Sequence, residues 1–85
     1  MKAIKKRELY ACSQGDFVGK TFIVINVDGQ NVNCLQLPEL KNIQISTEQF
    51  DVGRNSDIIE LIEVLPTEVF EVTAAQYHKN EDSNN

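Results

Sequence analysis

Apolar and polar positions alternate most regularly between Thr21 and Leu37, TFIVINVDGQNVNCLQL. Two β-branched runs flank Asp28-Gly29, and that arrangement predicts a β-hairpin with a two-residue turn, because such turns need positive φ in the loop. With Asp28-Gly29 as the loop, Ile25 faces Val32 and Ile23 faces Cys34. With Gly29-Gln30 as the loop, Val27 faces Val32 and Ile25 faces Cys34. Both registers put Ile23, Ile25, Val27, Val32 and Cys34 on one face. The other face then carries Phe22, Val24, Leu35 and Leu37 at the base and Asn26, Asn31 and Asn33 at the tip. A sheet with one wet face would be polar along its whole second side. Here each side is apolar at the base, so each must be covered.

The same reading extends outward. Glu8–Cys12 (ELYAC) predicts a first strand and Ser13–Asp16 a turn. Pro38 ends the strand before it, having no ladder donor, and Asn42–Ile45 (NIQI) alternates as another strand. Ser46-Thr47-Glu48-Gln49 has the form of a capping box, with Ile45 and Phe50 as its staple and Gly53 placed to stop a short helix. Ile58–Leu65 (IIELIEVL) fits a helix face or a strand. Its eight residues, its β-branched content and Pro66 favour the strand. Phe70–Val72 predicts a last short strand, and Thr73–Gln76 a second capping box opening a short C-terminal helix. Residues 80–85 (NEDSNN) have nothing to bury and read as a disordered polar tail beyond a single domain over 1–79.

These elements predict a mostly β fold of about five strands with one or two short helices. Within it the entry Gly15-Asp16-Phe17-Val18-Gly19-Lys20 before FIVINVDG is similar in outline to KOW-type modules, and the whole resembles the small SH3-like barrels. The resemblance spans roughly residues 8–72 and implies a fold that binds proteins or RNA through its loops and is rarely enzymatic. It carries over no site residues, since the basic residues of an RNA-binding surface are mostly missing and the spacing of Tyr10, Phe17 and Tyr77 does not define the aromatic row of a peptide-binding barrel.

Eighty-five residues make one domain with one small core and little room for a deep cleft. Charge is uneven: residues 1–50 sum to +1 and residues 51–85 to −6. That balance disfavours a nucleic-acid surface, apart from the basic lead-in of Lys2, Lys5, Lys6 and Arg7. No apolar run reaches membrane-spanning length, and MKAIKKRELY has no apolar stretch behind its charges, so a cytoplasmic protein is expected. Gly15–Thr21 falls short of a phosphate loop: three residues rather than four precede Gly-Lys-Thr, and a strand follows. Cys12 and Cys34 lack the spacing of a zinc site and read as reduced thiols. His78 has no orienting partner in the pattern. No cofactor, metal, small-molecule substrate or membrane is therefore expected.

Two candidate surfaces remain. One is the acidic C-terminal third, Asp57, Glu60, Glu63, Glu68 and Glu71, with the four glutamates as its binding residues; the other is the amide tip of Asn26, Asn31 and Asn33. The expectation is a non-enzymatic, acidic interaction module docking on a basic protein, as small accessory or inhibitor proteins of phages and mobile elements do. The alternative is a nucleic-acid-binding barrel using the basic N-terminus.

Overall fold

A computed structural model describes residues 3–82. Its strands are β1 (Glu8–Cys12), β2 (Thr21–Asp28), β3 (Asn31–Leu37), β4 (Lys41–Ser46) and β5 (Ile59–Val64). They form one antiparallel sheet in the order β4-β3-β2-β1-β5. Helix α1 (Thr47–Asn55) lies between β4 and β5 in sequence, and helix α2 (Thr67–Asp82) follows β5. The fold is thus mostly β, with the expected strands at 8–12, 42–45 and 58–65 all present. Four inter-strand steps would hold the edges of a flat sheet about 19 Å apart. Helix α1, about 13 Å long from its nine residues, touches β3, β4 and β5. The sheet must curl to bring both edge strands to it.

The hairpin closes on Gly29-Gln30, with Asp28 opposite Asn31 and Val27 opposite Val32. Gly29 has φ of 52°, as the turn requires. The expected sidedness does not hold below the tip. A β-bulge places Ile25 as an extra residue, so Val24, not Ile25, lies opposite Cys34. The bulge reassigns the faces. Phe22, Val24, Val32 and Cys34 join Tyr10 and Phe50 in one buried cluster, with Ile43, Ile45 and Ile59 against it. Ile23, Ile25 and Leu35 join Leu65 and Tyr77 in a second, with Leu9, Leu37 and Phe70 against it. Val27 is left exposed. Each side is covered, as the pattern demanded: the first cluster by α1, the second by α2.

Ser46 caps α1 as expected, its Oγ accepting from the Gln49 N–H at 3.1 Å. Gly53 does not stop the helix; it is buried two residues before the end. A Cβ there would sit 2.5 Å from Ile59 Cδ1, so the glycine lets α1 press onto β5. Phe70–Val72 is not a strand but the first turns of α2, which opens right after Pro66 with the Phe70 N–H bonded to the Pro66 carbonyl at 2.9 Å. Proline is well tolerated at a helix start, where its missing N–H has no intrahelical use. The Thr73–Gln76 capping box therefore falls inside the helix, where Thr73 Oγ1 donates to the Val69 carbonyl at 2.9 Å.

Helix α2 is longer than the short helix expected and continues through Asp82, so residues 80–82 are helical; 83–85 lie outside the described residues. Asn80 Nδ2 donates to the Leu40 carbonyl at 2.8 Å and to Asn42 Oδ1 at 2.9 Å, while Asn42 Nδ2 donates to the Tyr77 carbonyl at 3.0 Å. These amides clamp the end of α2 to the start of β4.

Candidate functional site

Strand β5 is the outer edge of the sheet beside β1. Its register is Glu60 opposite Ala11, Leu61 opposite Tyr10, then Glu63 opposite Leu9 and Val64 opposite Glu8. Ile62 is therefore an extra residue, a second bulge. In a regular strand, residues three apart point to opposite faces. The extra residue instead puts Glu60 and Glu63 on the same side, that of Leu9, which packs toward α2. Leu61 and Val64 share the side of Tyr10 and Glu8, that of α1.

Helix α2 follows β5 in the chain and packs against β2, β3 and β4. Phe70 and Tyr77 turn inward, while Glu68 and Glu71 are exposed in its first two turns. None of Glu60, Glu63, Glu68 and Glu71 makes an ion pair or side-chain hydrogen bond among the described residues. The same stretch of chain also exposes apolar side chains: Ile62 at 52% of its accessible surface, Val64 at 53% and Val72 at 73%, with Leu61 and Val69. The acidic residues are visible in the sequence as charge; the exposure of the apolar residues of the same stretch is not. A spacing of three within a strand predicts opposite faces, so no signal in the sequence announced the bulge that brings Glu60 and Glu63 to one side.

The amide tip is largely spoken for. Asn33 Nδ2 donates to Asn26 Oδ1 at 2.7 Å, and Gln44 Nε2 donates to Asn33 Oδ1 at 2.9 Å, a row of amides across three strands. Asn31 pairs with Asp28 and Ser46 in the ladders on either side. Asn26 also borders a groove of about 580 Å³ with Ile4, Lys5, Lys6, Arg7 and Val27, so the tip and the basic lead-in adjoin. Arg7 is committed to the fold: its Nε donates to the Leu65 carbonyl at 2.9 Å and its N–H to the Val24 carbonyl at 3.0 Å. Lys5 and Lys6 are exposed. Lys2 lies outside the described residues.

The titratable groups nearest the core are structural in their environment. Tyr10 Oη donates to Glu8 Oε1 at 2.9 Å, and the Lys5 N–H donates to the same oxygen at 2.7 Å. Burial, reinforced by the Glu8 carboxylate, pushes the Tyr10 phenol up to about 12 against an opposing pull from Arg54. Arg54 pairs with Asp51 and lies over the Phe50 ring, 6.0 Å from its centroid. Burial likewise raises the Cys34 thiol to about 12, which keeps it protonated and weakly nucleophilic. Cys12 Sγ donates to the Gln14 carbonyl at 2.9 Å beside an apolar cleft of about 510 Å³ between the 15–17 turn and α1. His78 Nδ1 lies 3.0 Å from Glu81 Oε1 on the exposed side of α2. Among the described residues, no three His, Cys, Asp or Glu side chains gather as a metal site. No helix among them is long and apolar enough to cross a membrane.

Compared with family models, with curated proteins and with solved structures, the chain matches none.

Proposed function

We propose that this protein is a non-enzymatic interaction module of SH3-like barrel outline that docks a basic protein through β5 and the start of α2. The observation that carries the reading is that the segment from β5 into the start of α2 leaves Glu60, Glu63, Glu68 and Glu71 exposed and unpaired and also exposes Leu61, Ile62, Val64, Val69 and Val72. Solvated charge alone would explain the carboxylates. Apolar side chains left in water in the same segment are what an interface core covers, with charge around it steering the encounter. The five-strand sheet, with α1 reaching both of its edges, supports the barrel reading. The basic lead-in supports a nucleic-acid surface less well, because Arg7 is bonded into the fold.

The test is capture of partners from a cell lysate by the wild-type chain and by the variant Glu60→Lys, Glu63→Lys, Glu68→Lys, Glu71→Lys. The four reversals raise the net charge by eight units, from −5 to +3. The expected result is a reproducible basic partner, held by the wild type, weakened by salt and lost on reversal. A partner retained by the folded reversal variant would place the binding surface elsewhere.

A further inference from the structure

We propose that the outer edge of β5 takes up an extended segment of the basic partner as a sixth strand, so that recognition runs through the backbone as well as through charge. This inference deepens the docking reading above and rests on it.

The edge is open. The hydrogen bonds at the two ends of the strand both point inward: Ser13 N–H to the Ile58 carbonyl at 2.9 Å, and Leu65 N–H to the Arg7 carbonyl at 2.8 Å. No strand lies beyond β5, so its outward N–H and C=O groups have no ladder partner among the described residues. Such an edge is a template for strand addition.

Its two sides ask for different chemistry. The bulge at Ile62 gathers Glu60 and Glu63 on the α2 side, and leaves Leu61 and Val64 exposed on the other with Ile62 at the bulge itself. A strand laid alongside has its own side chains alternating between these two sides. Opposite-charge and apolar cross-strand pairs stabilise such a pairing, whereas like charges directly opposite oppose it. A second copy of β5, laid antiparallel about its own midpoint, sets Glu60 against Glu63 of the other copy, and laid parallel in register sets each against itself. Self-pairing is therefore disfavoured. The occupant that fits is a segment of about six residues alternating Lys or Arg with apolar side chains.

The probe is the peptide Lys-Val-Lys-Val-Lys-Val-Lys, capped at both ends, with two isomers of equal charge. One is N-methylated on the backbone at its last three lysines, the other at its three valines. In a strand, alternate N–H groups point to the same edge, so one isomer blocks the ladder to β5 and the other leaves it intact. The expected result is that the parent peptide and one isomer bind, while the other loses roughly tenfold or more, the loss of one or two net hydrogen bonds. Amide exchange in residues 59–64 should slow with the parent and not with the blocked isomer. If both isomers bind as tightly as the parent, strand addition is overturned and charge docking stands. If the parent does not bind at low salt, strand addition is overturned, and the lysate capture decides charge docking on its own. Dimerisation of the free protein with the same amide protection would give the edge to a second copy and overturn the proposal too.

Discussion

The cluster under α1 and the rim formed by β5 and α2 use similar residues to opposite ends. Under α1, Tyr10 and Phe50 meet edge to face at 4.9 Å between centroids, and Phe22, Val24, Val32 and Cys34 are fully buried around them. Every polar group that enters this region is answered: Glu8 by Tyr10 and by the Lys5 amide, Arg54 by Asp51. No buried side-chain nitrogen or oxygen among the described residues lacks a partner. On the rim, four carboxylates and five large apolar side chains stand in water unanswered. Leaving a buried polar group unpaired costs about 1–3 kcal/mol, and leaving an exposed one unpaired costs almost nothing. The contrast teaches that unpaired groups mark freedom from the fold, and such groups are available for a partner.

The sharpest way to break the comparison is to remove one side chain from each region. Phe50→Ala should destabilise the protein by about 3–5 kcal/mol, while Ile62→Ala should stay within about 0.5 kcal/mol. Denaturant midpoints check both. An equal cost at Ile62 would mean that the rim is part of the core.

Proton linkage at Tyr10 gives the next largest effect. The folded protein holds the phenol at about 12, above its unfolded value near 10. Its contribution is fully present below pH 10 and is lost as pH rises through 12. The stability advantage of wild type over Tyr10→Phe should therefore shrink across that window, read from urea midpoints at each pH. Every group other than Tyr10 is common to both proteins and cancels in the difference. A constant difference would mean that Tyr10 ionises as freely folded as unfolded.

Gly53→Ala tests the contact between the two regions, since α1 touches β5 there. The added Cβ would meet Ile59 Cδ1 at 2.5 Å and Cγ1 at 2.8 Å. Overpacking of this kind costs about 1–3 kcal/mol and outweighs the helix-propensity gain of up to about 1. Adding Ile59→Val removes Cδ1 and should recover part of the loss, measured as a double-mutant cycle. At the far end of α2, Asn80→Ala removes the clamp to Leu40 and Asn42 and should cost about 1 kcal/mol.

Local chemistry made much of this legible. A two-residue hairpin turn at Gly29, the Ser46 cap and the strand over 58–65 each follow from a few adjacent residues, although the turn falls on Gly29-Gln30 and not on Asp28-Gly29. What was hidden depends on residues far apart. The bulge at Ile25 answers to Arg7, whose N–H binds the Val24 carbonyl, and no hairpin pattern contains that contact. Gly53 looked like a helix stop because its real neighbour, Ile59, arrives from another element. Val69, Phe70 and Val72 look strand-like by composition, yet they fold as helix because Phe70 and Tyr77, seven residues apart, share one helical face over the second cluster. For the candidate site, the carboxylates were legible as charge. Their gathering on one side of β5 was not, because it depends on the second bulge.

The smallest expected effect is the one most diagnostic of the rim. Single changes of Glu60, Glu63 or Glu71 to Gln should leave stability within about 0.5 kcal/mol, since none has a partner to lose. Glu68 should differ slightly. It lies in the first turn of α2, where a negative charge meets the positive end of the helix dipole, worth about 0.3–1 kcal/mol. Replacing all four takes the net charge from −5 to −1 and relieves repulsion, so the combined variant should be no less stable than the sum of the singles. Thermal midpoints at low and moderate salt check this, because salt should reduce both the Glu68 penalty and the gain from neutralisation. A loss above about 1 kcal/mol at Glu60 or Glu63 would show that β5 holds these carboxylates for the fold, and would remove them from the surface offered to a partner.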